Sequence, residues 1–178
     1  WAVPAAGGVE EPLPLPRGYQ GKIAPDGTRI AYRMNTSWDE ERRNYRGGQN
    51  RPVWIVDLKT FDLVSPPWTD SKDVDPVWVG STVYFISDRD GIPNIYRTTV
   101  GESAETTQVT HVTTGISGIT NLSPAMSVAS KAGTVAFSVY QDSKYDIRTA
   151  SAETQGTPLP PASVSAATLP PLVRNTSE

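Results

Sequence analysis

One pattern occurs three times in this chain, and it restricts the fold more than any other property. A Gly-bearing turn (Gly27, Gly80, Gly133) leads into an apolar strand with a ring near its end: Ile30-Ala31-Tyr32, Val83-Tyr84-Phe85 and Val135-Ala136-Phe137. A small turn containing proline (Pro25, Pro76, Pro124) opens each unit, and a polar tip connects to a further strand at residues 54–57, 94–97 and 146–149. Tyr32 and Phe85 are 53 positions apart, Phe85 and Phe137 52. Units of roughly 40 to 50 residues with four short strands are propeller blades, which bury their faces only against neighbouring blades. Alternating polar and apolar positions, with turn residues every few positions, argue for strands over helices. The expected fold is therefore all-β, with blades of four antiparallel strands in a partial ring of about three to four blades. The expected divisions are outer strands of a preceding blade over 1–18, blades over 19–70, 71–112 and 113–162, and a tail or edge strand over 163–178. Within the second blade, "QVTHV" (108–112) reads as the fourth, edge-like strand.

Sixteen prolines and fourteen glycines punctuate these short segments. A net charge of −3 with scattered basic residues excludes a general nucleic-acid binder, which needs a concentrated basic surface. No apolar run of about 18 residues is present, so no helical membrane span is expected. Cysteine is absent, which removes disulfides, thiolate metal sites and cysteine nucleophiles together. The start at Trp1 lacks a basic stretch followed by an apolar core and reads as part of something longer.

Chemistry-bearing residues are sparse. His111 is the sole histidine, and a nucleophile–base–orienter triad needs more than a strand-end histidine in a polar repeat. Asp70, Asp73 and Asp75 suggest oxygen ligands for a divalent cation, but the spacing lacks the glycine and closing glutamate of a calcium loop. Asp and Ser in such a link cap turns. We therefore expect no metal, no cofactor and no catalytic residue. The binding candidates are Arg42, Arg43, Tyr45 and Arg46 in the inserted loop 35–51, where guanidinium forks can clamp carboxylates and a ring adds flat contact area. Trp54, Trp68 and Trp78, with Tyr32, Tyr84, Phe85 and Phe137, read as packing between blades. The charged tip Ser87-Asp88-Arg89-Asp90-Gly91 reads as turn chemistry, because "VAFSVYQDSKYDIR" keeps the strands and loses most of the charges. Changing Asp88 and Arg89 together is expected to cost stability more than activity.

"APDGTRIAY" resembles the repeat motif of TolB and of tricorn-type proteases. "YRGGQNRPVWIVDL" and "DPVWVGSTVYFISDRDG" are similar to the amino-terminal propeller of bacterial tricorn-like proteases, and "SGITNLSPAMSVASKAGTVAFSVYQDSKYDI" to the propeller of TolB-like proteins. The likeness covers roughly residues 1–160. It implies a six- or seven-bladed propeller of which this chain holds about three and a half blades, without the PDZ-like and serine protease segments of the tricorn type. The function it implies is binding of protein or peptide by a non-catalytic propeller module. The alternatives are gating of peptides for a tricorn-like serine protease, or a propeller hydrolase. A partial ring leaves blade faces uncovered, so self-association or the remainder of a longer chain is expected to close it. The resemblance points to the periplasm or cell envelope, with the cytoplasm as the alternative.

Overall fold

Each repeated glycine sits where the chain must turn with positive φ, a conformation glycine adopts without the Cβ penalty. The values are 73° at Gly27, 56° at Gly80 and 59° at Gly133. The turns join β1 (Tyr19–Ile23) to β2 (Arg29–Arg33), β5 (Asp73–Val79) to β6 (Thr82–Ser87), and β9 (Met126–Ala129) to β10 (Thr134–Gln141). The remaining strands are β3 (Trp54–Asp57), β4 (Leu63–Val64), β7 (Asn94–Thr99), β8 (Thr106–Gln108), β11 (Lys144–Ser151) and β12 (Thr157–Pro158). This computed structural model describes residues 1–34, 45, 47–101, 104–120, 122–154 and 156–158. Among them there is no helix.

The strands form three antiparallel sheets in the orders β1-β2-β3-β4, β5-β6-β7-β8-β12 and β9-β10-β11. The central sheet is covered on both faces, and β6 shows how. Side chains alternate across a strand, so Val83 and Phe85 join Ala31, Ile55, Trp78 and Tyr96 against the first sheet. Tyr84 and Ile86 join Ile95, Val135, Phe137 and Val139 against the third. That double burial explains why "VYFI" is a continuous apolar run. Burial of side chains of this size contributes about 2 kcal/mol each. Trp78 adds a directional tie, donating its indole N–H to the Lys22 carbonyl at 2.8 Å.

The first strands of the sheets are neighbours: β5 packs on β1 and β2 from one side and on β9 from the other. Sheets that meet through their first strands and fan outward strand by strand have the arrangement of propeller blades. The chain is thus all-β, as expected, with a partial propeller architecture.

Several details differ from the expectation. Pro76 lies inside β5 rather than in a turn, at a β-bulge where the β5–β6 register shifts between Val74 and Val77. A bulge on an edge strand is where a residue without N–H fits a sheet. Asp73 and Asp75 therefore belong to this strand and not to a link. Ser87 is the last residue of β6 and buried, not part of the tip. The fourth strand of the second sheet is Thr106–Gln108 rather than 108–112. Beyond it the Asn94 carboxamide oxygen draws the chain off the ladder, accepting from the Thr110 hydroxyl at 2.9 Å and the Val112 N–H at 2.8 Å. The third sheet has three strands among the described residues. Tyr32 and Trp54 pack edge-to-face across β2 and β3, with ring centroids 6.1 Å apart. Trp68 donates to the Ser71 carbonyl at 2.8 Å ahead of β5.

Candidate functional site

The first strands carry matched irregularities. β1 has a register shift between Tyr19 and Lys22, and β5 the corresponding one between Val74 and Val77. Within these bulges Gln20 and Asp75 hold φ of 51° and 52°. Left-handed backbone at a residue with a Cβ costs about 1 kcal/mol, so the surrounding contacts must hold it. Arg33, buried at the end of β2, supplies them. Its guanidinium donates to the Gln20 carboxamide oxygen at 2.8 Å and lies 4.0 Å from the Asp75 carboxylate. It also stands 5.7 Å from the centroid of the Tyr19 ring. The other Asp75 oxygen accepts the Ala125 N–H at 3.4 Å, reaching the start of the third sheet. One polar cluster therefore links all three sheets.

These bulges shape one end of an open groove of about 500 Å³ along β1, β5 and β9. Ile23, Val77, Met126 and Val128 give it apolar wall, while Lys22 and Asp75 place opposite charges on it, with Ser127 and Ser130 beside them. An apolar trough with a few convergent polar groups is the usual form of a small-ligand or peptide site. Sequence reasoning did not single out Gln20, Lys22 or the Asp75 bulge. The available signal was Pro76 within an otherwise strand-like run.

The sequence-derived candidates do not converge there. Arg42, Arg43 and Arg46 lie outside the described residues. Tyr45 is half-buried, and its carbonyl accepts a hydrogen bond from the Asn50 carboxamide, which also donates to the Asp70 carbonyl at 2.7 Å. Asn50 thus pins the base of the inserted loop to the segment before β5. His111 is exposed on the outer edge of the second sheet, its Nε2 3.3 Å from the Thr157 hydroxyl. Among the described residues no group of three or more His, Cys, Asp or Glu side chains could hold a metal ion.

Asp73 is committed elsewhere. Its carboxylate accepts from the Ser71 and Ser87 hydroxyls at 2.8 and 2.6 Å and pairs with Arg89 at 3.3 Å, all nearly free of solvent. Burial pushes the Asp73 carboxyl above the usual carboxylate range, while Arg89 and the two hydroxyls pull it back. The Arg89 guanidinium lies 5.2 and 4.9 Å from the ring centroids of Phe85 and Tyr96. Burial, with Asp90 beside it, holds the Tyr96 phenol well above its ordinary value. Burial raises Tyr32 in the same sense. The charged tip is thus anchored inward by Arg89, and Asp88 accepts the Lys72 N–H at 2.8 Å.

The family model of the tricorn protease N-terminal beta propeller domain matches residues 1–139. Among curated proteins, the chain is similar to the uncharacterized peptidase YuxL of Bacillus subtilis (strain 168), with 34% identity over 100 residues. That match covers 54% of this chain and 14% of YuxL. Among solved structures, TolB from Acinetobacter baumannii superimposes with a TM-score of 0.55 at 18% identity, over 79% of this chain and 32% of TolB. At that identity the likeness is one of fold. The chain spans well under half the length of both proteins.

Proposed function

The chain belongs to the tricorn protease N-terminal beta propeller domain family, and from that premise we propose that it is a non-catalytic propeller module that binds protein or peptide. The observation that carries this reading is the groove along β1, β5 and β9, with its apolar wall and its Lys22 and Asp75 charges. An extended peptide can lay apolar side chains on Ile23 and Met126 and meet one charge of either sign. The loop holding Arg42, Arg43, Tyr45 and Arg46 is proposed as a second, rim contact. We divide the chain into outer strands of a preceding blade (1–18), blades over 19–70, 71–112 and 113–162, and a tail or edge strand from 163. The remainder of a longer chain, or a second copy, closes the ring. The periplasm or cell envelope is the proposed compartment, following the TolB-like character of the repeats.

A second reading has specific support. The matched family is named for a protease, and YuxL is described as a peptidase. On this reading the propeller filters peptides for a catalytic domain on the same parent chain.

Peptides carrying a photoreactive side chain separate these contacts. Crosslinks to β1 or β9 are expected, and Lys22→Glu should change which peptide charges are captured. Labelling confined to residues 42–46 would overturn the groove in favour of the rim. Labelling no greater than that of an unrelated β protein would overturn binding altogether.

A further inference from the structure

The three sheets end differently at their outer edges. The first ends in β4, only two residues long. The second is covered by β12, where Pro158 pairs with Thr107 and offers no donor of its own. The third ends in β11, eight residues without proline, and among the described residues nothing pairs with its outer side.

The backbone groups that β11 leaves open follow from its register. β10 and β11 pair without interruption from Gln141↔Lys144 to Thr134↔Ser151. Asp142 and Ser143, with φ of 51° and 62°, form a two-residue turn of the type that closes on a hydrogen-bonded pair. In an antiparallel ladder the bonded residues then alternate, so Lys144, Asp146, Arg148 and Ala150 direct their backbone groups toward β10. The Ala152 N–H, donating to the Gly133 carbonyl at 2.7 Å, keeps the same parity. Tyr145, Ile147 and Thr149 consequently aim N–H and C=O at the open edge. Ile147, at the middle, is 71% exposed, and the Tyr140 and Tyr145 rings stand 5.1 Å apart on the same face of the sheet.

We propose that β11 pairs antiparallel with β11 of a second copy of this chain, in a two-fold interface centred on Ile147. In this register Ile147 opposes Ile147 of the other copy, and Tyr145 opposes Thr149, so every open backbone group on these residues finds a partner. Asp146 of each copy then stands opposite Arg148 of the other. Sliding by two positions in one direction sets Asp146 against Asp146, and in the other Arg148 against Arg148. Opposite charges across strands are favourable and like charges unfavourable, so charge selects a single register. A two-fold axis makes the contact self-complementary and closed, which distinguishes it from open-ended edge aggregation. The pairing uses a sheet edge, so it is independent of the faces that complete a ring.

Sedimentation of the full chain over a wide concentration range should show a monomer–dimer equilibrium. Arg148→Asp should raise the dissociation constant roughly tenfold, and the exchange variant Asp146→Arg/Arg148→Asp should restore it. Arg148 contacts Gln141 and Asp146 pairs with Lys144, both on the surface where such contacts contribute little, so both variants should melt close to the parent protein. The chain has no cysteine, and Ile147→Cys therefore places one thiol per copy at the axis, where Cα atoms approach to about 5.5 Å. It should oxidise to a linked dimer, whereas Thr149→Cys, held about 13 Å from its counterpart, should not. A monomer at every concentration, equal linking at both positions, or a dimer indifferent to the charge exchange would overturn the proposal. So would protection of the Tyr145, Ile147 and Thr149 amides from hydrogen exchange in a species that stays monomeric, which would mean that the chain covers this edge itself.

Discussion

Asp73 and Arg89 form an ion pair beneath the charged tip. Both are buried, and each satisfies the other at 3.3 Å. Removing one partner of such a pair strands a charge in a low-dielectric surrounding, whereas replacing both by apolar groups of similar size is close to neutral. Asp73→Ala should therefore lower unfolding free energy by about 3 kcal/mol, and Asp73→Leu with Arg89→Met should recover most of that loss in urea denaturation. The expectation that Asp88 and Arg89 matter for stability thus gains a physical cause. The sequence disclosed the turn but not the anchor, because Asp73 lies 16 positions from Arg89. Only the β5–β6 pairing brings them together. Asp75, two positions on, has a different fate: the bulge at Pro76 turns it toward the groove. Neighbours along the chain were assigned one role from composition, and the bulge gave them two.

At the level of elements, β12 depends on one glycine. A Cβ on Gly156 would come within 2.6 Å of the Gln108 carbonyl oxygen and of the Thr107 hydroxyl. Gly156→Ala should detach β12, so that the β8 amides facing it exchange roughly tenfold faster while global melting changes little. Hydrogen exchange read residue by residue checks this. The hairpins themselves were legible: Gly27, Gly80 and Gly133 marked their turns, and the apolar runs after them marked β2, β6 and β10. Strand ends were less so. "QVTHV" has the alternation of a strand, but Asn94 takes the Thr110 hydroxyl and Val112 N–H and bends it away. A side chain from β7 outcompetes the ladder there, and no local pattern encodes that. The groove was hidden for a related reason, since its residues come from three strands about fifty positions apart.

Across the whole molecule, the sheets are joined by apolar burial and by a few directed bonds. Trp78 contributes to both, buried between the first and second sheets with its N–H on the Lys22 carbonyl. Trp78→Phe keeps an aromatic ring between the sheets and removes the donor together with the indole's five-membered ring. It should destabilise the chain by about 1–2 kcal/mol, measured as a lower urea midpoint. The repeat arithmetic foretold an all-β partial propeller. It did not foretell that the chain would turn back after the third sheet to finish the second. Tyr84 donates its hydroxyl to the Ala152 carbonyl at 2.6 Å, steering the segment leaving β11 toward β8. This return has a consequence for birth at the ribosome. The second sheet cannot receive its last strand until residues 157–158 have emerged, by which time all of the third has been made. The second sheet is therefore completed only after the third, and a nascent chain stalled before Gly156 would wait with β8 uncovered.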